Sequence, residues 1–78
     1  MTRRTKRATA DLDGLPPALR EKAETLIERL QSEPALGKKL KGKLEGKRSL
    51  RLGRTHRIIY VTEPVIVLTI VPRKDAYR

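Results

Sequence analysis

Residues 48–71, RSLRLGRTHRIIYVTEPVIVLTIV, decide the fold of this 78-residue chain, because they hold its strongly β-patterned segments. Residues 48–52 alternate between polar and apolar side chains, which is the period-2 pattern of a strand with one wet face. The pattern places both leucines on one face and Ser49 and Arg51 on the solvent side. This segment therefore predicts the first strand of a sheet.

Two turn signals divide the rest of this stretch into two further strands. Gly53 tolerates positive φ, so the chain can reverse there into a second strand, His56 to Thr62, whose centre is apolar on both faces. Glu63-Pro64 supplies the second turn, since proline fixes φ and cannot donate to a ladder. The β-branched run Val65 to Val71 then predicts a central strand. Together the three strands predict an antiparallel meander.

The N-terminal half predicts two helices that cover this meander. Apolar residues spaced as in Ala8, Leu12 and Leu15 indicate one short helix. A longer amphipathic helix follows from Pro17 to residues 31–33, with an apolar stripe on one side and glutamates on the other. Burying the stripe on a sheet gains roughly 1.5–3 kcal/mol for each large side chain. Because a hairpin alone is marginal, this helix is expected to stabilise the sheet.

Two polar segments flank these elements. Residues 2–7 hold no apolar side chain, so any strand there is expected to be a short edge strand held by backbone bonds alone. Residues 34–47 combine three glycines with five lysines, which predicts an ordered basic loop with its lysines outward. Leu36, Leu40 and Leu44 recur every four residues and are expected to pin this loop to the core. A solvated linker is the alternative.

Composition limits the class of protein. The chain has no cysteine, which excludes disulfides and cysteine-based zinc sites. It has no apolar run long enough to span a membrane, and its basic start lacks the apolar segment of a signal peptide. A single cytoplasmic domain over residues 1–78, with no membrane partner, is therefore expected.

The formal net charge of +10 is segregated along the chain. Residues 38–57 hold nine cations against one carboxylate, whereas residues 11–33 hold six carboxylates against three cations. A field of this sign favours a polyanion, either nucleic acid or an acidic protein. A soluble basic surface without a partner is the simpler alternative.

Few catalytic groups are available. The carboxylates of Asp11, Asp13 and Glu45 are scattered in sequence, so neither a metal nor another cofactor is expected. His56, the single histidine, could act as a general base beside its turn, although most such histidines are ordinary strand residues.

The remaining arginines suit cleavage of RNA through its own 2′-hydroxyl, since a guanidinium grips phosphate and neutralises charge on the phosphorane. Proton transfer is harder, because an ordinary lysine or arginine is a poor base near neutral pH.

The run from Lys39 to Tyr60, KLKGKLEGKRSLRLGRTHRIIY, carries a family resemblance. With the apolar strand after it and residues 73–77, it resembles the RelE/ParE toxin superfamily of bacterial type II toxin–antitoxin systems. Lys6-Arg7-Ala8, Leu15-Pro16 and the following helix resemble the N-terminal half of that family. The resemblance implies an α+β, RelE-like fold, with two N-terminal helices packed on one face of a small antiparallel β-sheet. It also implies a first edge strand that is short or absent and a basic concave face opposite the helices.

The resemblance also implies a function and its residues. In the RelE branch the basic face enters the ribosomal A site and cleaves mRNA without a metal. Arg51 matches an active-site strand lysine or arginine, and Arg57 matches the arginine that grips phosphate. Arg73 matches the arginine linked to leaving-group protonation, and Tyr77 matches the C-terminal tyrosine that stacks on or orients RNA. Ser49 departs from the pattern, because active members carry a second lysine there.

Two alternatives and several partners follow from the same resemblance. A ParE-like member inhibits DNA gyrase, and a degenerate member acts by binding protein. The expected partners are the ribosome and mRNA, or gyrase under the alternative, together with a cognate antitoxin whose acidic disordered segment folds on the basic surface. Further RNA phosphate contacts are expected from the remaining cations of the basic loop and strand: Lys39, Lys41, Lys43, Lys47, Arg48 and Arg54.

Overall fold

Two helices and five strands make up the described residues, 2–42 and 45–75, of the computed structural model. Their order is β1 (Arg3–Arg4), α1 (Lys6–Asp13), α2 (Pro17–Arg29), β2 (Lys38–Lys39), β3 (Arg48–Leu52), β4 (His56–Thr62) and β5 (Val65–Pro72). Short 3-10 turns span Pro34–Leu36 and Arg73–Asp75. Three residues named in the sequence analysis lie outside the described residues: Lys43, Leu44 and Tyr77.

The predicted antiparallel meander is formed by β3, β4 and β5. In the β3–β4 ladder, Arg51 lies directly opposite Arg57. Gly53 has a φ of 61° in the turn between these strands, which is the conformation that favours glycine. The Glu63–Pro64 turn has a cis peptide bond and leads into β5. The bounds of β3 and β4 match the sequence pattern, and β5 extends one residue further, to Pro72.

Two short strands complete the sheet in the order β1-β5-β4-β3-β2. β1 pairs parallel to β5, so the sheet is mixed and not purely antiparallel. β2 pairs antiparallel to β3, with Lys38 opposite Ser49, and lies in the segment for which the sequence predicted a loop. Lysine side chains on such an edge discourage pairing with another chain.

Side chains hold the first edge strand in place. Thr2 is 3% exposed, and its Oγ1 donates to the carbonyl of Ile27 in α2 at 2.9 Å. Thr5 Oγ1 donates to the carbonyl of Leu68 in β5 at 2.6 Å. The strand is short, as predicted, but the expectation that backbone bonds alone would hold it was wrong.

Both helices pack on one face of the sheet. α1 contacts β5 and α2 contacts β3, so the helices cover the meander as predicted. α2 ends at Arg29 with Leu30 as its C-cap, slightly before the predicted end. No helix in the described ranges has the length and apolar character needed to cross a membrane. The main core lies between helices and sheet, and its largest fully buried side chains are Ile27, Leu30, Leu52, Ile58, Tyr60 and Val67.

Two leucines of the basic segment, Leu36 and Leu40, pack on different faces of the sheet. Leu36 contacts the main core, whereas Leu40 forms a small cluster with Ile59 on the face opposite the helices, against which Val71 packs. These two leucines therefore do not share one core. Ser49 is only 4% exposed, so the expectation that it faces solvent was wrong.

Candidate functional site

Two arginines lie side by side on the sheet face opposite the helices. Alternation along β4 turns Arg57 away from Ile58 and Tyr60, which belong to the main core. Arg51 is its direct cross-strand neighbour, and such neighbours have Cβ atoms about 4.5–5.5 Å apart. Among the described residues, no carboxylate oxygen lies within 4.0 Å of either guanidinium. Because like charges opposite each other destabilise a sheet, the pair is well suited to hold an anion.

Arg73 lies at the same end of the sheet, directly after β5. Its backbone N–H donates to the carbonyl of Thr55 at 2.7 Å, which ties it to the turn between β3 and β4. Arg73, Thr55, Arg57, Pro72 and Lys74 line an open depression of about 660 Å³. Two predicted catalytic arginines therefore share one depression. Lys74 adds a third cation that the sequence analysis did not select.

Most of the other predicted phosphate-binding cations lie elsewhere on the sheet. Arg48 and Arg51 are three residues apart on β3, or about 10 Å. Arg48 Nη1 also donates to the carbonyl of Gly37 at 2.7 Å, so this arginine supports the chain. Arg54 is exposed in the turn beside the first depression. A second depression has a volume of about 760 Å³, and the described residues that line it include Lys39, Lys41, Glu45, Lys47, Arg48 and Glu63.

His56 lies at the start of β4, where alternation turns its ring away from the face of Arg57. Its Nδ1 is 2.7 Å from Oγ1 of Thr55, the residue before it in the chain. A role for His56 as a general base stays a prediction. Within residues 2–42 and 45–75, no three histidine or carboxylate side chains gather where they could hold a metal ion.

The arrangement of helices, sheet and basic face agrees with a known toxin family. The family model for the ParE toxin of the type II toxin–antitoxin system parDE matches residues 3–77, nearly the whole chain. The chain belongs to this toxin family. The predicted membership of the RelE/ParE toxin superfamily is therefore confirmed.

Solved structures of other toxins support the same assignment. This toxin is 34% identical to a chain of the RelBE2 toxin–antitoxin complex from Mycobacterium tuberculosis, over 91% of this chain and 94% of that chain, with a TM-score of 0.79. It is 24% identical to the YoeB/ParE toxin from Agrobacterium tumefaciens, over 94% of this chain and 99% of that chain, with a TM-score of 0.79.

A third similarity is to a chain of the RelB-RelE antitoxin–toxin complex from Methanococcus jannaschii. The identity is 24% over 96% of this toxin and 94% of that chain, with a TM-score of 0.76. At this identity the second and third similarities speak for the fold, and they confirm the predicted RelE-like α+β architecture. No curated protein matches the toxin.

Proposed function

We propose that this toxin cleaves mRNA on the ribosome, through the RNA's own 2′-hydroxyl and without a metal. The observation that supports this best is the group of Arg51, Arg57 and Arg73 at one end of the sheet, without a carboxylate within 4.0 Å in the described part of the chain. A guanidinium stays charged and donates two parallel hydrogen bonds to phosphate oxygens. This group therefore suits a bound phosphodiester.

Each arginine takes one task in the proposed reaction. The 2′-oxygen attacks the adjacent phosphorus, and the bond from phosphorus to the 5′-oxygen of the next nucleotide breaks. The products are a 2′,3′-cyclic phosphate and a 5′-hydroxyl, while water accepts the departing proton and supplies one to the leaving oxygen. Arg51 and Arg57 hold the phosphate and stabilise the added charge of the phosphorane. Arg73 donates a hydrogen bond to the leaving oxygen, and Tyr77 is expected to stack on the RNA.

Inhibition of DNA gyrase without RNA cleavage is the second candidate function. The match to the ParE toxin model over residues 3–77 favours it. Ser49 also favours it, because a serine there supplies no lysine to assist proton transfer. Under this alternative, the arginines on the sheet face opposite the helices, called the open face below, bind an acidic protein surface and no RNA.

We also propose a cognate antitoxin that carries an acidic, partly disordered segment. The solved RelBE2 and RelB-RelE structures are complexes of a toxin with its antitoxin. A disordered acidic segment can wrap a large basic surface and fold on it, and this toxin carries a net charge of +10. The ribosome, mRNA and a cytoplasmic location belong to the cleavage proposal.

The cleavage proposal predicts that Arg73→Ala abolishes growth inhibition and mRNA cuts while the protein still folds and binds its antitoxin. Losing one preorganised donor to the reacting oxygens costs on the order of 10²–10³ in rate. Primer extension on a reporter mRNA after induction, with and without translation in progress, measures the cuts. Arg29→Ala is the matched control, because it removes the same charge from α2, where Arg29 pairs with Glu33 at 2.9 Å.

Cuts inside translated codons that disappear when translation is blocked would support the nuclease. Cuts by Arg73→Ala at the parent level would contradict the role of Arg73. Growth inhibition without cuts would favour the gyrase candidate, which a DNA supercoiling assay then tests directly.

A further inference from the structure

Two buried polar atoms on the open sheet face have no hydrogen-bond partner. Across the described residues, Ser49 Oγ and Arg57 Nε are the buried side-chain nitrogen or oxygen atoms in this condition. Buried polar groups are nearly always paired, because an unmade hydrogen bond costs the full desolvation of the group. Because the two unpaired atoms lie on neighbouring strands, one bound ligand could accept a hydrogen bond from each of them.

The register of the sheet brings these two residues close together. Ser49 lies opposite Ile59, and Arg57 is two residues before Ile59 on the same strand, so Ser49 and Arg57 are diagonal neighbours on one face. Diagonal neighbours are about 7–8 Å apart, and their Cβ atoms are somewhat closer. Two hydrogen bonds of about 2.8–2.9 Å, donated from these side chains, can meet on a single small group within that gap.

The chemistry of the two atoms selects an anionic ligand. The Nε–H of Arg57 can only donate, and the hydroxyl of Ser49 can donate as well. Arg51 lies opposite Arg57 and adds a second positive charge beside the same gap. A tetrahedral oxyanion such as a phosphate group offers several acceptor oxygens and the matching charge.

We propose that Ser49 is a phosphate-binding residue of this toxin, and that Ser49 Oγ and Arg57 Nε donate to oxygens of one phosphate group. The inference rests on the proposed function, because it deepens the phosphate site of Arg51 and Arg57. It gives Ser49 a role of its own in positioning the phosphate. Ser49 then binds and positions the phosphate, although it transfers no proton.

A small apolar cluster lies on the same face as the two donors. Leu40 and Ile59, the cross-strand partner of Ser49, form this cluster, and Val71, the cross-strand partner of Arg57, packs against it. Ser49 is only 4% exposed, and Arg57 Nε is likewise buried. Phosphate binding therefore requires the side chains that cover the two donor atoms to move aside.

The test is the affinity of the purified toxin for inorganic phosphate, followed through the NMR signal of the Arg57 Nε–H group. We expect Ser49→Ala to weaken phosphate binding by on the order of ten-fold, as the loss of a hydrogen bond to a charged group does. Ser49→Thr keeps a hydroxyl and is expected to restore most of the affinity. Ser32→Ala is the control, because Ser32 Oγ donates to the carbonyl of Arg29 far from this face.

The Tm of the toxin without phosphate is a second measurement. If Ser49 had only a structural role, its replacement by alanine would lower the Tm. Because Ser49→Ala removes a buried hydroxyl without a partner, we expect the Tm to stay unchanged or rise. A lower Tm with unchanged phosphate affinity would show that the hydroxyl has a structural partner, and would overturn the inference. Equal affinity of Ser49→Ala and the parent would also overturn it.

Phosphate binding and RNA cleavage can fail separately. A parent toxin that binds no phosphate would overturn both the inference and the phosphate site on which it rests. A toxin that binds phosphate through Ser49 but leaves transcripts intact would sustain the inference and reject the nuclease.

Discussion

At the scale of single residues, Gly37 shows how one missing side chain sets the packing beneath β4. Its N–H donates to Tyr60 Oη at 2.7 Å, and Tyr60 Oη in turn donates to the carbonyl of Pro34 at 2.8 Å. A Cβ atom on Gly37 would lie 2.6 Å from Tyr60 Oη and 2.9 Å from the carbonyl oxygen of Ser49. Its φ of −85° for the C-cap position suits any residue, so space and not conformation requires glycine.

We therefore expect Gly37→Ala to lower the free energy of unfolding by about 1–3 kcal/mol, the usual cost of overpacking a well-filled site. Equilibrium urea unfolding measures this as a lower midpoint with an unchanged slope. Gly14→Ala is the matched control, because its added Cβ would lie 3.6 Å from the nearest backbone oxygen, which is ordinary contact. Equal destabilisation by both variants would show that the close approach of Tyr60 is unimportant.

At the scale of elements, α1 is joined to β5 by two side chains. Thr5 Oγ1 accepts from the N–H of Ala8 at 3.0 Å as the N-cap of α1, and donates to the carbonyl of Leu68 at 2.6 Å. Asp11 Oδ2 accepts from the N–H of Ile70 at 3.0 Å, beyond the end of the short β1 ladder. The helix thereby satisfies backbone groups of β5 that β1 is too short to reach.

Thr5→Ala is expected to lower the free energy of unfolding by about 1–2 kcal/mol, because it removes the helix cap and the bond to β5 together. Thr5→Ser keeps the hydroxyl and should recover most of this loss. Thermal unfolding of the toxin measures both changes. Thr9→Ala serves as a nearby control, since Thr9 Oγ1 makes only an exposed bond to a carbonyl at 3.3 Å. A Thr5→Ala variant as stable as the parent would contradict the bridging role.

The elements that the sequence predicted well are those with a repeating pattern. Alternation and turn residues locate β3 and β4, and the 3.6-residue period locates both helices. The two-residue strands β1 and β2 have no pattern of their own. Their pairing depends on distant partners, as in Arg4 opposite Val67 and Lys38 opposite Ser49. Such pairing is a property of the assembled sheet, which local sequence does not encode.

The candidate site divides in the same way. Alternation along each strand places Arg51 and Arg57 on the face opposite the core residues. The turn between β3 and β4 then makes them cross-strand neighbours. The contact between Arg73 and Thr55 is a single tertiary hydrogen bond, and no local sequence pattern predicts it. The burial of Ser49 was not predicted, because local alternation does not show that Leu40 packs with Ile59, the cross-strand partner of Ser49, on the same face.

At the scale of the whole molecule, charge is separated in space as well as in sequence. Glu24 and Glu28 of α2 lie on the helical side, where they are 3.7 Å and 3.9 Å from Arg4. Arg51 and Arg57 lie on the opposite side of the sheet. The field of the toxin therefore turns its open face towards a polyanion during encounter.

If the toxin binds RNA as proposed above, this orientation predicts how the affinity responds to salt. Arg51→Ala and Arg29→Ala each lower the net charge by one. Only Arg51 lies on the open face, whereas Arg29 lies at the end of α2 and pairs with Glu33. For a single-stranded RNA with a 2′-O-methyl group on every ribose, which has no free 2′-hydroxyl to attack the phosphorus, log affinity falls linearly with log salt. Each phosphate contact contributes about 0.7 to that slope. Fluorescence anisotropy over a range of salt concentrations should show a slope about 0.7 shallower for Arg51→Ala and unchanged for Arg29→Ala. Equal slopes for the two variants would mean that net charge, and not the open face, governs binding.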